Sequence, residues 1–278
     1  MTVLYEDNHI IAVSKTCNEI VQGDKTGDEP LLETVKRYIK EKYNKPGEVF
    51  LGVTHRLDRP TSGVVLFART SKALSRLNDM FRQKSQSINS HVSGASIATQ
   101  VAHQSIIEKV YWAIVEKQPA EPEGRLENYL IRNEKLNKSF VVQQPSRSNR
   151  REATNAKQSS QLAILTYKTL AVGERYTLLE IHLETGRHHQ IRCQLAAIGC
   201  PIKGDLKYGA KRSNPDGGIC LHARQIAFEH PVSHEYICIT APVPEDNLWH
   251  ALTSSLPSRL VPSLCTAREG HDRFDSSL

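Results

Sequence analysis

A chain of 278 residues with 39% hydrophobic and 24% charged side chains is long enough for one large core or two modest ones. It carries no run of about 18 apolar residues, so no membrane-spanning helix is expected. Glu6 and Asp7 interrupt the N-terminus before the apolar stretch of a signal peptide could form, which points to the cytoplasm. A net charge of +6 favours polyanionic partners. Six cysteines without a Cys-x-x-Cys pair argue against a zinc ribbon or redox motif and read as free thiols.

Val3, Leu4 and Tyr5, then Glu6-Asp7-Asn8, then Ile10, Ile11, Ala12 and Val13 read as strand, turn and strand, with Lys15 closing the second run. Asp28-Glu29-Pro30 opens a helix on which Leu32, Val35, Ile39 and Tyr43 recur at helical spacing. Lys36, Arg37, Lys40 and Lys42 crowd its later half, where a solvated face accounts for them more simply than an RNA contact does. The runs Val49, Phe50, Leu51, Val53 and Val64, Val65, Leu66, Phe67 are buried strands around the polar stretch 54–63, Thr-His-Arg-Leu-Asp-Arg-Pro-Thr-Ser-Gly. Within that loop Asp58 lies between Arg56 and Arg59, which would favour its charged form and suit a nucleophile better than a proton donor. A surface ion pair in a tight turn is the plain alternative.

Thr70 has the character of an N-cap, and Leu74, Leu77 and Phe81 mark a helix ending near Lys84. Residues 85–106, rich in Ser, Gln, Ala and His, are expected to form an inserted flexible loop. Residues 109–115 are dense in β-formers, and on packing grounds alone Tyr111 would be a core tyrosine. Two more strands fall at 126–131 and 140–143, and the basic span 145–160 is either a solvated loop or a grip on phosphates. Residues 163–170 and 176–183 form an antiparallel pair. Thr185 and Gly186 end the second strand, and Ile191, Leu195 and Ile198 make a helical stripe stopped by Gly199, with Arg187 in its first turn. His188 and His189 invite a metal reading, but no spaced third ligand joins them, so no metal is expected. Gly204-Asp205 and Tyr208-Gly209 are ordinary turn dipeptides, and residues 236–240 form a last strand. The packed domain is expected to span 1–250 and a disordered tail 251–278.

Residues 55–63, His-Arg-Leu-Asp-x-x-Thr-Ser-Gly, match the signature of the RluA-type pseudouridine synthases at every defined position. The chain resembles that family again at Tyr5-Glu6-Asp7-x-x-Ile10-Ile11, Lys109-x-Tyr111-x-Ala113-x-Val115, Thr185-Gly186-Arg187-x-His189-Gln190-Ile191-Arg192 and Leu221-His222-Ala223. It departs where Ser14-Lys15-Thr16-Cys17-Asn18 replaces the family's Asn-Lys-Pro-x-Gly, so the turn there is expected to differ. Asp58 comes too early for the family's S4-type RNA-binding module ahead of it, so recognition is expected from the catalytic domain.

The resemblance implies an α+β fold, a mixed, largely antiparallel sheet with packed helices and a central catalytic cleft. It implies an RNA pseudouridine synthase that isomerises uridine in tRNA or rRNA. By the same resemblance Asp58 is the catalytic residue, Arg187 pairs with it, and Tyr111 lines the site and takes part in deprotonating the base. Arg56 fills the space a flipped uridine leaves, and Arg59, Lys109 and Arg192 contact the RNA. No cofactor is expected, and the partner is a compact RNA stem-loop met by a monomer, without DNA or membrane. The alternatives are a non-catalytic RNA-binding or RNA-folding factor of the same fold and, less favoured, a metal hydrolase using His55, His188 and His189.

Overall fold

Period-two and β-branched runs put eleven strands into one sheet among the described residues. A computed structural model describes residues 1–24, 26–92, 107–143 and 160–257, with the backbone alone for 85–92. The first half holds β1 (Thr2–Glu6), β2 (Ile10–Lys15), α1 (Leu31–Lys42), β3 (Gly52–Val53), β4 (Ser62–Ala68), α2 (Ser71–Val92) and β5 (Glu108–Val115). The second holds β6 (Glu123–Asn133), β7 (Lys138–Val142), β8 (Gln161–Val172), β9 (Thr177–Leu183), α3 (Gln190–Ala197), β10 (Leu221–Glu229), β11 (Tyr236–Thr240) and α4 (Asn247–Thr253). The expected fold class holds: the strands run β1-β2-β4-β10-β5-β9-β8-β6-β7, with β3 added to β4 and β11 to β10.

One pairing decides where the site lies. Among the described residues β4 and β10 are the parallel neighbours, and they touch only at Ser62 with His222 and Gly63 with Ala223. Beyond Gly63 the two strands diverge. β10 goes on to pair with β11 from Gln225 to Glu229, while β4 meets β3 at Val53 and Phe67. The fork opens the middle of the sheet, and residues 54–61 sit in it.

The helices pack through short apolar faces. α1 buries Leu31, Val35 and Ile39, so its stripe starts one residue before the expected Leu32, and Tyr43 is a half-exposed C-cap rather than a core residue. Thr70 Oγ1 accepts the Ala73 amide at 3.2 Å and starts α2 as expected, with Ala73, Leu77 and Met80 buried. α2 then continues through Val92, past the expected stop at Lys84, because 85–92 contains neither Gly nor Pro to end it. The rest of the expected insertion, the basic span up to residue 159 and the tail from 258 lie outside the described residues.

The packed domain also runs further than 250. Asp246 caps α4 by accepting the amides of Leu248 and Trp249, and Trp249 and Leu252 are buried. No helix among the described residues is long and apolar enough to cross a membrane. The five described cysteines are free.

Candidate active site

The loop that fills the fork is anchored by side chains standing in for strands. At Leu66, where neither β3 nor β10 reaches β4, Thr54 Oγ1 donates to the Leu66 carbonyl at 2.6 Å and His55 Nε2 accepts the Leu66 amide at 3.1 Å. Both backbone groups are satisfied without a third strand, and the main chain is free to leave the sheet. The bond fixes the His55 proton on Nδ1, and burial pushes the ring well below its usual pKa, so it stays neutral. From the other side Lys15, 1% exposed, donates to the carbonyls of Asp58, Arg59 and Thr61 at 3.3, 2.9 and 2.6 Å. The carbonyl of Asp58 also accepts the Thr61 amide at 3.0 Å, closing the turn. Gly63 ends the loop with φ +117 against the Ala223 backbone.

Asp58 therefore presents its carboxylate into the fork, where α3 meets it. His189 takes a left-handed conformation (φ 52) as N-cap of α3. Gln190 Oε1 accepts Thr185 Oγ1 at 2.7 Å and the Arg187 amide at 2.9 Å, holding the strand-to-helix turn in shape. In the helix's first turn Arg192 donates from Nη1 to Asp58 Oδ2 at 3.0 Å, and from Nε and Nη2 to Asp205 at 2.7 and 2.8 Å. The bidentate grip of Asp205 fixes the plane of the guanidinium, so its remaining edge is aimed at Asp58.

His189 lies beside the same carboxylate. Its Nε2 lies 3.5 Å from Asp58 Oδ2, while its Nδ1 is 3.0 Å from the Tyr208 hydroxyl. That hydroxyl accepts the Ser139 amide at 2.8 Å, leaving its own proton for His189 Nδ1. A lone pair on Nε2 would face a carboxylate, so the Nε2–H tautomer is the one that fits. Burial brings the His189 pKa down to about 3, which keeps the ring neutral. His188 stacks on it with ring centroids 3.8 Å apart.

Around Asp58 lies a cleft of about 360 Å³. Its walls carry Arg56, Lys109, Arg132 and Arg187 besides Arg192, so it is strongly positive and suited to a polyanion. Tyr111, 8% exposed, forms part of its wall, and burial together with the Asp58 charge pushes the phenol's pKa up. The hydroxyl thus stays protonated, in a cleft whose lining also includes Leu57, Leu183 and Leu221.

Residues 9–197 match the family described as RNA pseudouridylate synthase. The chain belongs to that family, in its RluA-type branch. Its activity is the isomerisation of uridine to pseudouridine in RNA. The synthase is 32% identical to tRNA pseudouridine synthase C of Yersinia pestis over 281 residues, covering 95% of this chain and 94% of that one. It is 28% identical to the RNA pseudouridine synthase YlyB of Bacillus subtilis over 88% of this chain and 70% of the relative. The fold is shared with human RNA pseudouridylate synthase domain containing 4, at a TM-score of 0.66 and 20% identity, over 89% of this chain and 90% of that one.

The geometry of the synthase brings Asp58, Tyr111 and Arg187 to one cleft but corrects the expected pairing. The guanidinium on Asp58 is that of Arg192, since α3 starts at Gln190 and leaves Arg187 in the preceding turn, where its Nε donates to the Leu162 carbonyl at 2.9 Å. Arg192, expected on RNA, is 5% exposed and committed to two carboxylates. Arg59 was expected to flank Asp58. It turns away to pair with Asp28 and donates from Nε to the Asn18 carbonyl at 3.1 Å. Arg56 is exposed at the mouth of the cleft, and Lys109 is partly buried inside it. Among the described residues no group of three His, Cys, Asp or Glu side chains could hold a metal ion.

Sequence reasoning missed Lys15, Asp205 and Tyr208 as parts of the site, and weighed His189 as a metal ligand rather than as a neighbour of Asp58. Lys15 had a usable signal, a lysine that ends a strand opened by the apolar run Ile10 to Val13. Asp205 and Tyr208 look like turn residues, and nothing in their spacing links them to α3.

Proposed function

We propose that Asp58 is the carboxylate that acts on the ribose of the target uridine, in a stem-loop of tRNA or rRNA. Pseudouridine formation breaks the N1–C1′ bond, turns the base in the cleft and joins C5 to the same carbon. Asp58 contributes either by attacking C1′ or by removing a sugar proton, and both roles use the carboxylate that Arg192 holds in place. The observation that carries this reading is the Asp58–Arg192 contact inside a cationic cleft lined by Tyr111.

A stacked uridine cannot reach Asp58, and its extrusion costs on the order of a few kcal/mol. Arg56, two positions from Asp58 and exposed, fills the vacated space in this reading. Arg132 and Arg187, which line the cleft, contact phosphates of the flipped nucleotide in this reading, giving position rather than sequence. Tyr111 confines the detached base and relays a proton during its rejoining.

Both RNA classes occur among the relatives, tRNA in the Yersinia pestis enzyme and the large ribosomal subunit in a 28% identical synthase D of Xanthomonas campestris. In this reading the enzyme works as a cytoplasmic monomer on RNA, without DNA or a membrane. Incubating the purified protein with tRNA and rRNA transcripts tritiated at uracil C5 tests it. Release of tritium from one of them is expected, whereas binding without release from either would favour a non-catalytic RNA-folding factor.

A further inference from the structure

Lys109 and Tyr111 are two positions apart on β5, so both project from the same face of the sheet toward the cleft. The Lys109 ammonium lies 4.4 Å from the centroid of the Phe81 ring on α2, a cation–π contact that holds it without neutralising it. Among the described residues the charged and titratable groups around it are Lys84 from α2, His55 from the loop after β3, Tyr111 beside it and, in the same cleft, Asp58. Asp58 is the one carboxylate of that set, and its ion pair is with Arg192 rather than with Lys109. Burial draws the Lys109 pKa to about 8, which still leaves most of it protonated at neutral pH. A partly desolvated ammonium with no ion pair among the described residues is costly, and the cost falls when an anion enters.

Burial decides which anion. Phosphates stay on the backbone at the mouth, where Arg56 is exposed. Lys109 sits inside, next to the tyrosine that confines the base. The anion that forms there is the detached uracil. When N1–C1′ breaks, the bonding pair leaves with N1 and its charge spreads onto the carbonyl oxygens, whichever way Asp58 acts.

We propose that Lys109 is a catalytic residue that hydrogen-bonds a carbonyl oxygen of the detached uracil and stabilises its negative charge while the base turns. No proton is transferred at Lys109. A pair from the base forms the C5–C1′ bond, the proton leaves C5, and N1 ends protonated, so charge and atoms balance. The inference rests on the catalytic reading of Asp58 given above.

The test uses the wild-type enzyme with Lys109→Met and Lys109→Arg, measuring single-turnover rate at saturating RNA and RNA affinity separately. Lys109→Met should lower the rate about 10²-fold, as loss of one charge-stabilising donor does, with Kd within about twofold. Lys109→Arg should recover at least about tenfold, since it restores a cation. The wild-type rate should also fall above pH about 8, and that fall should vanish in Lys109→Arg because a guanidinium does not titrate there. A raised Kd with an unchanged rate would assign Lys109 to a phosphate and overturn the proposal, as would no change in either. Should Lys109→Met fail to fold, the pH profile of Lys109→Arg decides, and a limb unchanged from wild type overturns it. Activity surviving in Asp58→Asn would instead remove the reading beneath it.

Discussion

Arg192 stands between two carboxylates, giving Nη1 to Asp58 at 3.0 Å and closing Nε and Nη2 on Asp205 at 2.7 and 2.8 Å. The Asp205 side chain is 1% exposed and that of Asp58 31%, so one carboxylate is a fixed anchor and the other reaches the cleft. The arrangement needs a planar fork with several donors in fixed directions, which an ammonium cannot provide.

Replacing Arg192 with Met should therefore do two things. It leaves Asp205 buried and unpaired, a loss of roughly 3–5 kcal/mol by analogy with other broken buried pairs. It also frees the Asp58 side chain. Arg192→Lys keeps the charge but not the geometry, and should retain more stability than activity. Urea midpoints and initial rates on the same preparations distinguish the two effects.

His55→Phe should unsettle the loop without touching Asp58. Its Nε2 is the acceptor for the Leu66 amide in the fork of the sheet, and an orphaned buried amide costs about 1–3 kcal/mol. A glutamine at 55 offers an oxygen at similar reach and should recover part of the loss. Chemical denaturation of the two variants side by side, with activity measured in parallel, reads this directly.

Gly63→Ala should be among the most damaging single changes in the chain. A Cβ there would collide with the backbone O and N of Ala223, at a φ of +117 that L side chains rarely adopt. The parallel β4–β10 contact depends on that approach, so a loss of at least about 3 kcal/mol is expected. A soluble variant with an unchanged thermal midpoint would contradict the account of the fork.

The acid limb of stability should depend on His222. This ring is 1% exposed, bonded to Ser62 Oγ at 2.9 Å, and burial lowers its pKa to about 3. The unfolded value is near 6.5. The native state thus binds fewer protons than the unfolded one between those values, and stability falls as pH drops from about 6.5 toward 3. His222→Gln should flatten that decline by up to about 1.4 kcal/mol per pH unit, with part remaining because His189 shifts the same way. Urea midpoints from pH 7 to pH 4 measure the slope.

Much of this was legible in the sequence because the strands have strong local patterns and the loop at 55–63 is a dense polar motif between apolar runs. The hairpin of β1 and β2, the antiparallel β8–β9 pair and the N-cap at Thr70 follow from neighbours in the chain. The choice between Arg187 and Arg192 could not, since it depends on where α3 begins, and that is set by His189 in a left-handed conformation rather than by periodicity. Arg59 misled for a related reason. Adjacency suggested it would serve Asp58, but its guanidinium pairs with Asp28, distant in sequence. Asp205 and Lys15 act through contacts that only the closed sheet creates.

The central claim is that the Asp58 carboxylate does the chemistry, and Asp58→Asn tests it most directly, since the amide keeps the size and removes the charge. The account predicts that tritium release from the cognate RNA falls to background while RNA affinity and the thermal midpoint stay close to wild type. Isomerase activity retained by that variant would contradict it.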